Sequence, residues 1–209
     1  MIKEKRTIKY GFRIVHIDNI PYLEDVGFVL PSSPLASKEY KPIGDSKVIE
    51  KRKLESHGVD LTQYIPFYLG PRSVMLYVIQ NGYNGVTKQK PEDIVYCVIK
   101  IKDLITNGVT CIFTDGHALS AITQFYTHEK LPILNELVSF DDVYTHNWKN
   151  EDDTDLKRRK EAELLIFSEL PSTYICGYVV YNNKAKERIM NFGIKEERII
   201  VNPDYYFKL

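Results

Sequence analysis

The sequence predicts an α+β fold, because short strand-like and short helix-like segments follow one another without a regular strand–helix alternation. The chain has 209 residues, of which 44% are apolar and 27% are charged. A chain of this length can bury a full hydrophobic core, and no internal repeat or low-complexity tract divides it. We therefore expect a single domain that spans residues 1–209.

Strands are predicted where β-branched and aromatic residues concentrate between turn-forming residues. The predicted strands cover residues 10–16, 94–101, 111–114, 162–167, 174–181, 198–201 and 205–207. Pro171 and Ser172 predict a turn after the fourth of these strands. We expect the strands to form a sheet that carries the core.

Helix boundaries are indicated by capping residues and prolines. Asp18 or Asn19 can cap a helix at residues 20–26. Pro71 suits the first turn of a second helix, at residues 72–80. Apolar residues at helical spacing predict a helix at residues 118–126. Further short helices are expected at residues 131–137 and at residues 183–191, the latter ending near Gly193.

Residues 31–45 form a long segment without predicted secondary structure, which contains several prolines and small or polar residues. Extended loops of this kind inside compact domains are usually active-site elements or disordered. The segment is too short and too central to separate two domains. We interpret it as a functional loop.

Composition argues against several classes of protein. The 28 basic and 28 acidic residues give a formal net charge of zero, which disfavours coating of nucleic acid by bulk electrostatics. No apolar run approaches the roughly 18 residues that span a bilayer, and no apolar stretch follows the basic start, so we expect neither a membrane span nor a secretory signal. Cys97, Cys111 and Cys176 lie in apolar runs, which favours free buried thiols and a reducing cytoplasm.

Common motifs for phosphate binding and nucleophilic catalysis do not occur in the sequence. It has neither of the standard glycine-rich phosphate loops and no Gly-x-Ser-x-Gly nucleophile elbow. The nearest candidate pair of metal ligands is Asp115 and His117, a spacing that is more often a turn. We expect no metal site.

Two charged residues beside apolar segments are the candidates for catalysis. Glu163 stands in the apolar run at 162–167, just after the four basic residues 157–160, and Arg72 follows the aromatic segment 64–68. A carboxylate beside positive charge suits chemistry on a phosphate-bearing substrate that forms a cation. Taken singly, each is more often structural, as a surface glutamate on a strand or an arginine in an ion pair.

Six segments in this order resemble the DarT family of DNA ADP-ribosyltransferases, toxins of bacterial toxin–antitoxin systems. The segments are residues 13–21, 43–53, 64–68, 71–76, 113–118 and 158–163. Each is weak alone, whereas six in family order are specific. Two positions depart from the family pattern: Arg13-Ile14-Val15 stands where many members have His-Ile-Thr, and Val74 follows Pro-Arg-Ser where proline is usual.

The resemblance implies an ADP-ribosyltransferase fold with a split central β-sheet flanked by short helices. It implies transfer of ADP-ribose from NAD to a base in single-stranded DNA, with thymine as the expected base. Glu163 and Arg72 match the family's catalytic glutamate and arginine. The glutamate would stabilise the oxocarbenium-like centre that forms as the nicotinamide–ribose bond breaks, and would take the proton from the attacking base. Arg72 would hold a cofactor phosphate or the acceptor base with its planar fork.

The same resemblance implies which residues bind NAD. The residues expected at its nicotinamide end are Arg13, Ile14, Val15, His16 and Asn19. Gly44 and Arg52 match the loop that closes on NAD, and Arg72 is counted among the cofactor contacts. Tyr68 is expected to stack on the nicotinamide ring, with a core tyrosine as the alternative.

The segment from about residue 119 to residue 160 corresponds to the loop by which ADP-ribosyltransferases choose their acceptor. Aromatic and basic side chains together suit a single strand, because rings stack on bases and cations meet phosphates. The expected DNA contacts are Trp148, Lys157, Arg158 and Arg159, although the acidic run 151–153 lies among them.

Other functions stay compatible with the sequence. One is a catalytically silent module that binds a nucleotide or single-stranded DNA, and another is a transferase that acts on guanine, RNA or protein. The presence of both Arg72 and Glu163 favours an enzyme. The resemblance also implies a DarG-type macrodomain antitoxin as partner, and we expect a cytoplasmic monomer that does not associate with membranes.

Overall fold

The computed structural model describes residues 6–53 and 57–208, and this part of the chain contains ten strands and eight α-helices. The strands are β1 (Tyr10–His16), β2 (Phe28–Val29), β3 (Tyr64–Tyr68), β4 (Ile94–Lys100), β5 (Cys111–Thr114), β6 (Phe125–Thr127), β7 (Glu163–Phe167), β8 (Glu169–Leu170), β9 (Ile175–Val180) and β10 (Ile199–Val201). The helices are α1 (Ile20–Val26), α2 (Ser46–Lys51), α3 (Val74–Asn81), α4 (Ile101–Thr106), α5 (Leu134–Leu137), α6 (Phe140–Tyr144), α7 (Leu156–Lys160) and α8 (Asn183–Met190).

Eight strands form one sheet in the order β10-β9-β4-β1-β3-β7-β5-β6, and β2 pairs with β8 separately. Neighbouring strands are antiparallel except β9 and β10, which are parallel. Within β4 every residue but Lys100 is buried, as expected for a central strand covered on both faces. The predicted α+β class is confirmed.

The sheet opens between β1 and β3. These two strands share one register pair, Phe12 with Tyr68, whereas β1 pairs with β4 along its whole length and β3 with β7 along all of its own. The carbonyl of Pro66 faces β1, where it accepts a hydrogen bond from Nη1 of Arg13 at 2.7 Å. Proline has no N–H, so on this side Pro66 cannot donate to a ladder. The split sheet that the resemblance implies is therefore present.

The predicted helix at residues 118–126 is wrong. The structure has turns there, followed by β6, which pairs with β5. Leu119 and Phe125 pack near Leu165, but Ile122 is 64% exposed, so the apolar residues do not share one buried face. Apolar spacing alone cannot separate a helix from a loop that folds back onto a sheet.

Three other predicted elements need correction, and one of them, the helix at residues 131–137, is α-helical only over Leu134–Leu137. The second helix begins at Val74 rather than Arg72, because Arg72 has a φ of 53° and Ser73 caps the helix, its Oγ accepting from the Leu76 N–H at 3.2 Å. Residues 205–207 do not form a strand. Side chains hold them instead: Gln80 exchanges two hydrogen bonds with the main chain of Phe207, at 3.0 and 3.1 Å.

The segment 31–45, predicted to be a loop, connects β2 to α2 and contains neither an α-helix nor a strand. Asn19 anchors it, donating to the Lys41 carbonyl and accepting from the Lys41 N–H, each at 2.9 Å. The buried Asp45 caps α2 by accepting from the Lys47 N–H at 2.9 Å. Both contacts lie near the C-terminal end of the loop, where it leads into α2. No helix in the described ranges is long and apolar enough to cross a membrane.

A buried lysine fastens the connection between β3 and α3. Nζ of Lys160 donates to the carbonyl of Pro71 at 2.7 Å and also to that of Val143. Burial, with the nearby Arg72, lowers the pKa of Lys160 to about 7. Its neighbour Glu161 is 8% exposed, and burial together with the Glu163 carboxylate raises the pKa of Glu161 to about 8.

The Glu161 carboxyl should make stability fall as pH rises. Its pKa is about 8 in the folded state and 4.5 for a freely solvated glutamate, so between these values the folded state holds a proton that the unfolded state has lost. The contribution of Glu161 to the free energy of unfolding should therefore decrease from pH 5 to pH 6, a range below the titration of Lys160. Denaturant titrations of Glu161→Gln should show a flatter profile, with the exposed Glu169→Gln as the matched control. An unchanged slope in Glu161→Gln would contradict this assignment.

Candidate active site

Glu163 lies where β7 begins, beside the opening of the sheet. Its partner on β3 is Tyr68, and its side chain is 1% exposed. Oε1 accepts from the Ala118 N–H at 3.0 Å, and Oε2 accepts from Nη2 of Arg52. Its main-chain N–H donates to Oγ1 of Thr114 at 3.0 Å. Because hydrogen bonds fix both the backbone and the side chain of Glu163, its carboxylate is held in a single orientation.

Arg52 directly follows α2 and covers the Glu163 carboxylate. Burial lowers the pKa of this guanidinium, but the adjacent carboxylate outweighs burial, and the pKa of Arg52 is raised. While Nη2 meets Glu163, the buried Nη1 has no hydrogen-bond partner among the described residues. A guanidinium with an unused N–H can hold one more oxygen of an anionic ligand.

Arg72 joins three parts of the chain. Its Nη1 donates to the Asp204 carbonyl, its Nη2 to the Tyr144 carbonyl at 2.7 Å, and its main-chain N–H to the Tyr96 hydroxyl at 3.0 Å. Nε is buried and finds no partner in the described part of the chain. Within that same part, Arg72 and Glu163 make no hydrogen bond or ion pair with each other. They are linked indirectly, because Tyr68 pairs with Glu163 four residues before Arg72.

The structure places the four predicted NAD residues of β1 at the opening. Arg13 reaches across it to β3, and its Nε is buried with no partner among the residues that are described. The side chain of Val15 lies in the main hydrophobic core, and that of Ile14 packs against a second cluster of buried residues that includes Phe12 and Tyr96. A ligand at the opening would therefore meet the backbone of these two residues. Burial lowers the pKa of His16, and its Nδ1 accepts from the Asp18 N–H at 3.2 Å.

The remaining predicted NAD residues fall into two groups. Asn19 is buried, and both ends of its amide are used to hold Lys41. Gly44 precedes the cap of α2 and is half-buried. Tyr68 is half-buried beside Glu163, and burial together with Glu161 and Glu163 raises its pKa. Tyr68 and Gly44 are accessible in part, whereas Asn19 acts by anchoring the loop.

Trp148, a predicted DNA contact, packs inside the molecule. It is 9% exposed, and its ring meets those of Tyr77 and Phe207 edge to face at 5.5 and 5.4 Å between centroids. Aromatic pairs of this kind stabilise a core. In this structure the indole is part of the packing that also holds the C-terminal residues.

The three basic residues of α7 that were predicted to meet DNA differ from one another. Lys157 is exposed and forms no ion pair with a described residue. Arg158 binds Asp155 through two nitrogens, at 2.7 and 2.8 Å, and Asp115 at 2.8 Å. The carboxylates bound by Arg159 are those of Asp142, Asp153 and Asp155. The charges of both arginines are therefore already matched.

Sequence reasoning missed several contributors to the site. Thr114 and Ala118 act on Glu163 through a hydroxyl and a main-chain N–H, and Glu161 is buried beside it. The sequence analysis covered the segment 113–118 through a predicted strand, a weak pair of metal ligands and the resemblance, but it assigned no role to Thr114 or Ala118. A main-chain donor leaves no residue-type signal in a sequence, so only the fold could identify Ala118.

Two cavities flank this region without reaching Glu163. One, of about 180 Å³, lies between residues 42–46 and 84–89, and the other, of about 250 Å³, between residues 135–142 and the side chains of Asp115 and Arg159. Arg52 covers the carboxylate itself. No group of three or more potential metal-ligating side chains occurs within residues 6–53 and 57–208.

Comparison with known proteins gives matches along nearly the whole chain. The family model described as "ssDNA thymidine ADP-ribosyltransferase, DarT" matches residues 12–207. A DNA ADP-ribosyl transferase of Escherichia coli O127:H6 is 31% identical over 182 residues, which cover 84% of this chain and 81% of the relative. One from Mycobacterium tuberculosis is 26% identical over 210 residues, covering 94% and 88%.

Solved structures match the fold. Thermus sp. 2.9 DarT in complex with ADP-ribosylated ssDNA has a TM-score of 0.81 at 24% identity, with 98% of this chain and 100% of that chain covered. The same protein in complex with NAD+ gives 0.76 at 23% identity, with 98% and 100% covered. Thermosipho africanus DarTG in complex with ADP-ribose gives 0.78 at 24% identity, covering 95% of this chain and 51% of that chain.

The resemblance in six segments is thereby confirmed over almost the full length of the sequence. Since the family model spans residues 12–207 and the split sheet is that of solved DarT structures, this protein belongs to the DarT family of single-stranded-DNA ADP-ribosyltransferases.

Proposed function

We propose that this chain transfers ADP-ribose from NAD to thymine in single-stranded DNA, with Glu163 as the catalytic carboxylate. The observation that carries the proposal is the wholly buried Glu163 side chain, oriented by a main-chain N–H and paired with a guanidinium at the opening of the sheet. Burial of a carboxylate is costly and needs compensation. A group kept there at such cost is a strong candidate for chemistry.

Cleavage of the nicotinamide–ribose bond produces an oxocarbenium-like centre, which a nearby carboxylate stabilises. Glu163 supplies that charge through Oε2 once Arg52 turns toward the ligand, while the Ala118 N–H keeps Oε1 in place. The same carboxylate accepts the proton from the attacking base nitrogen, which is general base catalysis.

Three arginines support the assignment of NAD as the donor. Arg13, Arg52 and Arg72 were each expected to bind it, and each has one buried N–H without a partner among the described residues. Buried donors normally find acceptors. Phosphate and ribose oxygens of NAD are suitable acceptors for them, with Arg13 and Arg52 on the two sides of the opening. Tyr68, beside Glu163, offers a ring face to the nicotinamide.

Arg72 has a second role in this proposal. Its guanidinium holds the carbonyls of Tyr144 and Asp204, so it fixes the segment after α6 against the C-terminal residues. That segment belongs to the region expected to meet the acceptor. Arg72 therefore contributes to catalysis by shaping the acceptor side, and its remaining Nε is available to a substrate.

The DNA strand is expected to pass the exposed side of α7, where Lys157 meets a phosphate. Single-stranded acceptors avoid the cost of unpairing a base from a duplex. The solved Thermus sp. 2.9 DarT in complex with ADP-ribosylated ssDNA supports this class of acceptor. Transfer to guanine, RNA or protein is the competing enzyme function, and silent binding is the competing non-enzyme function.

The proposed cellular role is that of a cytoplasmic, monomeric toxin opposed by a DarG-type macrodomain. Thermosipho africanus DarTG supports the partner, because this chain matches 51% of that longer chain. A modified base in a template blocks replication, so the active protein should require its antitoxin for expression. The inactive Glu163 variant should not.

Glu163→Gln should lower transfer to a thymine-containing oligonucleotide by about 10²–10⁴-fold, because glutamine keeps the shape but carries no charge and accepts no proton. The measurement is the mass gain of one ADP-ribose on the oligonucleotide. Exposed Glu169→Gln is the control and should transfer normally. Retained activity in Glu163→Gln would remove this residue from its role, and wild-type transfer only to thymine-free DNA, RNA or protein would favour the competing acceptors.

Lys157→Ala should weaken oligonucleotide binding and make it less sensitive to salt. Loss of one phosphate contact reduces the slope of log K against log salt by about 0.7 for a single strand. Fluorescence anisotropy at several salt concentrations measures the slope. Lys195→Ala, an exposed lysine near β10 at the other end of the sheet, is the matched control. Identical slopes for the two variants would count against a phosphate at Lys157.

A further inference from the structure

Arg158 holds the loop between β5 and β6, residues 115–124, which we call the β5–β6 loop. Its Nη1 donates to Oδ1 of Asp115 at 2.8 Å and lies 3.4 Å from Oγ1 of Thr123, so one guanidinium meets both ends of the loop. Two further bonds fix the same guanidinium to Asp155 on its own segment. Arg158 is thus a bridge between the β5–β6 loop and α7.

The main chain of Arg158 also contacts the loop. Its carbonyl accepts from the His117 N–H at 2.9 Å. Gly116 packs closely against Arg158. A Cβ at position 116 would stand 2.4 Å from Nη1, 2.8 Å from Cγ and 2.9 Å from the carbonyl oxygen of Arg158. No side chain larger than hydrogen fits at this distance. Glycine at 116 is therefore required by the closeness of Arg158.

The β5–β6 loop connects these contacts of Arg158 to the carboxylate of Glu163. Ala118 follows His117, and its N–H donates to Oε1 of Glu163 at 3.0 Å. Inside the loop, Oγ1 of Thr123 donates to the His117 carbonyl at 2.8 Å. A shift of Asp115, Gly116 or Thr123 would thus move the donor that orients Glu163, and small displacements of an oriented group are costly for catalysis.

We propose that Arg158 is a positioning residue: it holds the β5–β6 loop so that the Ala118 N–H orients Glu163, and it does not bind a DNA phosphate. This inference rests on the proposed function for its consequence in catalysis. The contacts argue against a phosphate role, because the side chain is 13% exposed and two aspartates already satisfy its charge. A phosphate would have to displace both carboxylates.

The test compares three variants in oligonucleotide transfer and binding. Arg158→Ala should lower kcat at saturating NAD and DNA by about tenfold or more, within the cost typical of a misplaced catalytic group, and leave the salt dependence of binding unchanged. Arg158→Lys should fall between wild type and Arg158→Ala, because a lysine holds one carboxylate but has no planar fork for both. Gly116→Ala removes no charge and should also lower kcat, because its Cβ would collide with Arg158.

Lys186→Ala is the matched control, since it also removes one cation from an ion pair, at 2.6 Å from Glu196, on α8 beside the opposite end of the sheet. Its kcat and salt dependence should equal those of wild type. Thermal unfolding verifies that each variant is folded. If Arg158→Ala does not fold, Arg158→Lys and Gly116→Ala decide the outcome.

Hydrogen exchange gives a readout that does not need activity. The Ala118 amide should exchange faster in Arg158→Lys and Gly116→Ala than in wild type and Lys186→Ala. Normal kcat with a salt slope lower by about 0.7 would identify a phosphate contact and overturn the proposal. If Arg158→Ala has a normal kcat and a normal salt slope, Arg158 only stabilises the fold, and the proposal is likewise overturned. If wild type transfers nothing from NAD to DNA, the proposed function fails, while unchanged Ala118 exchange is what would refute the positioning role.

Discussion

The opening of the sheet between β1 and β3 is the constraint on which the whole candidate site depends. A continuous ladder would occupy the backbone of β1 on both sides, but beyond the pair of Phe12 and Tyr68 that backbone is paired with β4 alone. Pro66 makes closure of the gap difficult, because its carbonyl faces β1 while its nitrogen cannot donate. The opening leaves strand edges unpaired on a rigid scaffold, Arg13 reaches across it to Pro66, and Glu163 pairs with the residue that ends β3.

The ion pair of Arg52 and Glu163 is better explained by function than by stability. Desolvation of two buried charges offsets much of their attraction, whereas loss of one partner costs about 3–5 kcal/mol because the other charge stays buried. The helix that carries Arg52 has no buried residue of its own, so few apolar contacts resist its movement. Elements of this kind are drawn from the least stable parts of a fold. Movement of α2 would therefore break few apolar contacts, and its main cost would be loss of the ion pair with Glu163, which a bound ligand would have to offset.

Elements whose conformation follows from the local residue pattern could be predicted from the sequence, whereas elements held by residues distant in the sequence could not. The strands at 10–16 and 111–114 are as predicted, since dense β-branched and aromatic runs have few alternatives. Residues 118–126 were wrongly predicted as a helix, because the folded β5–β6 loop depends on Arg158, more than 30 residues away in the sequence. The neighbours of Glu163 made it a candidate, but only the family resemblance favoured it over an ordinary surface glutamate on a strand. Ala118 could not be found, as its contribution is a main-chain N–H.

The distribution of charge suggests how a chain of zero net charge could select one base in DNA. The basic run of α7 is largely neutralised by the aspartates around it, and the two arginines there are tied to carboxylates rather than exposed. Binding that depends on phosphates is insensitive to sequence and falls steeply with salt, whereas contacts to the bases carry the selectivity. Because both arginines of α7 are already paired, we expect this helix to add little phosphate binding and the discrimination to come from contacts to the base. Under the proposed function, the aspartates around α7 favour selectivity by reducing indiscriminate binding to phosphates, and Asp115 at the same time ties the β5–β6 loop to Arg158.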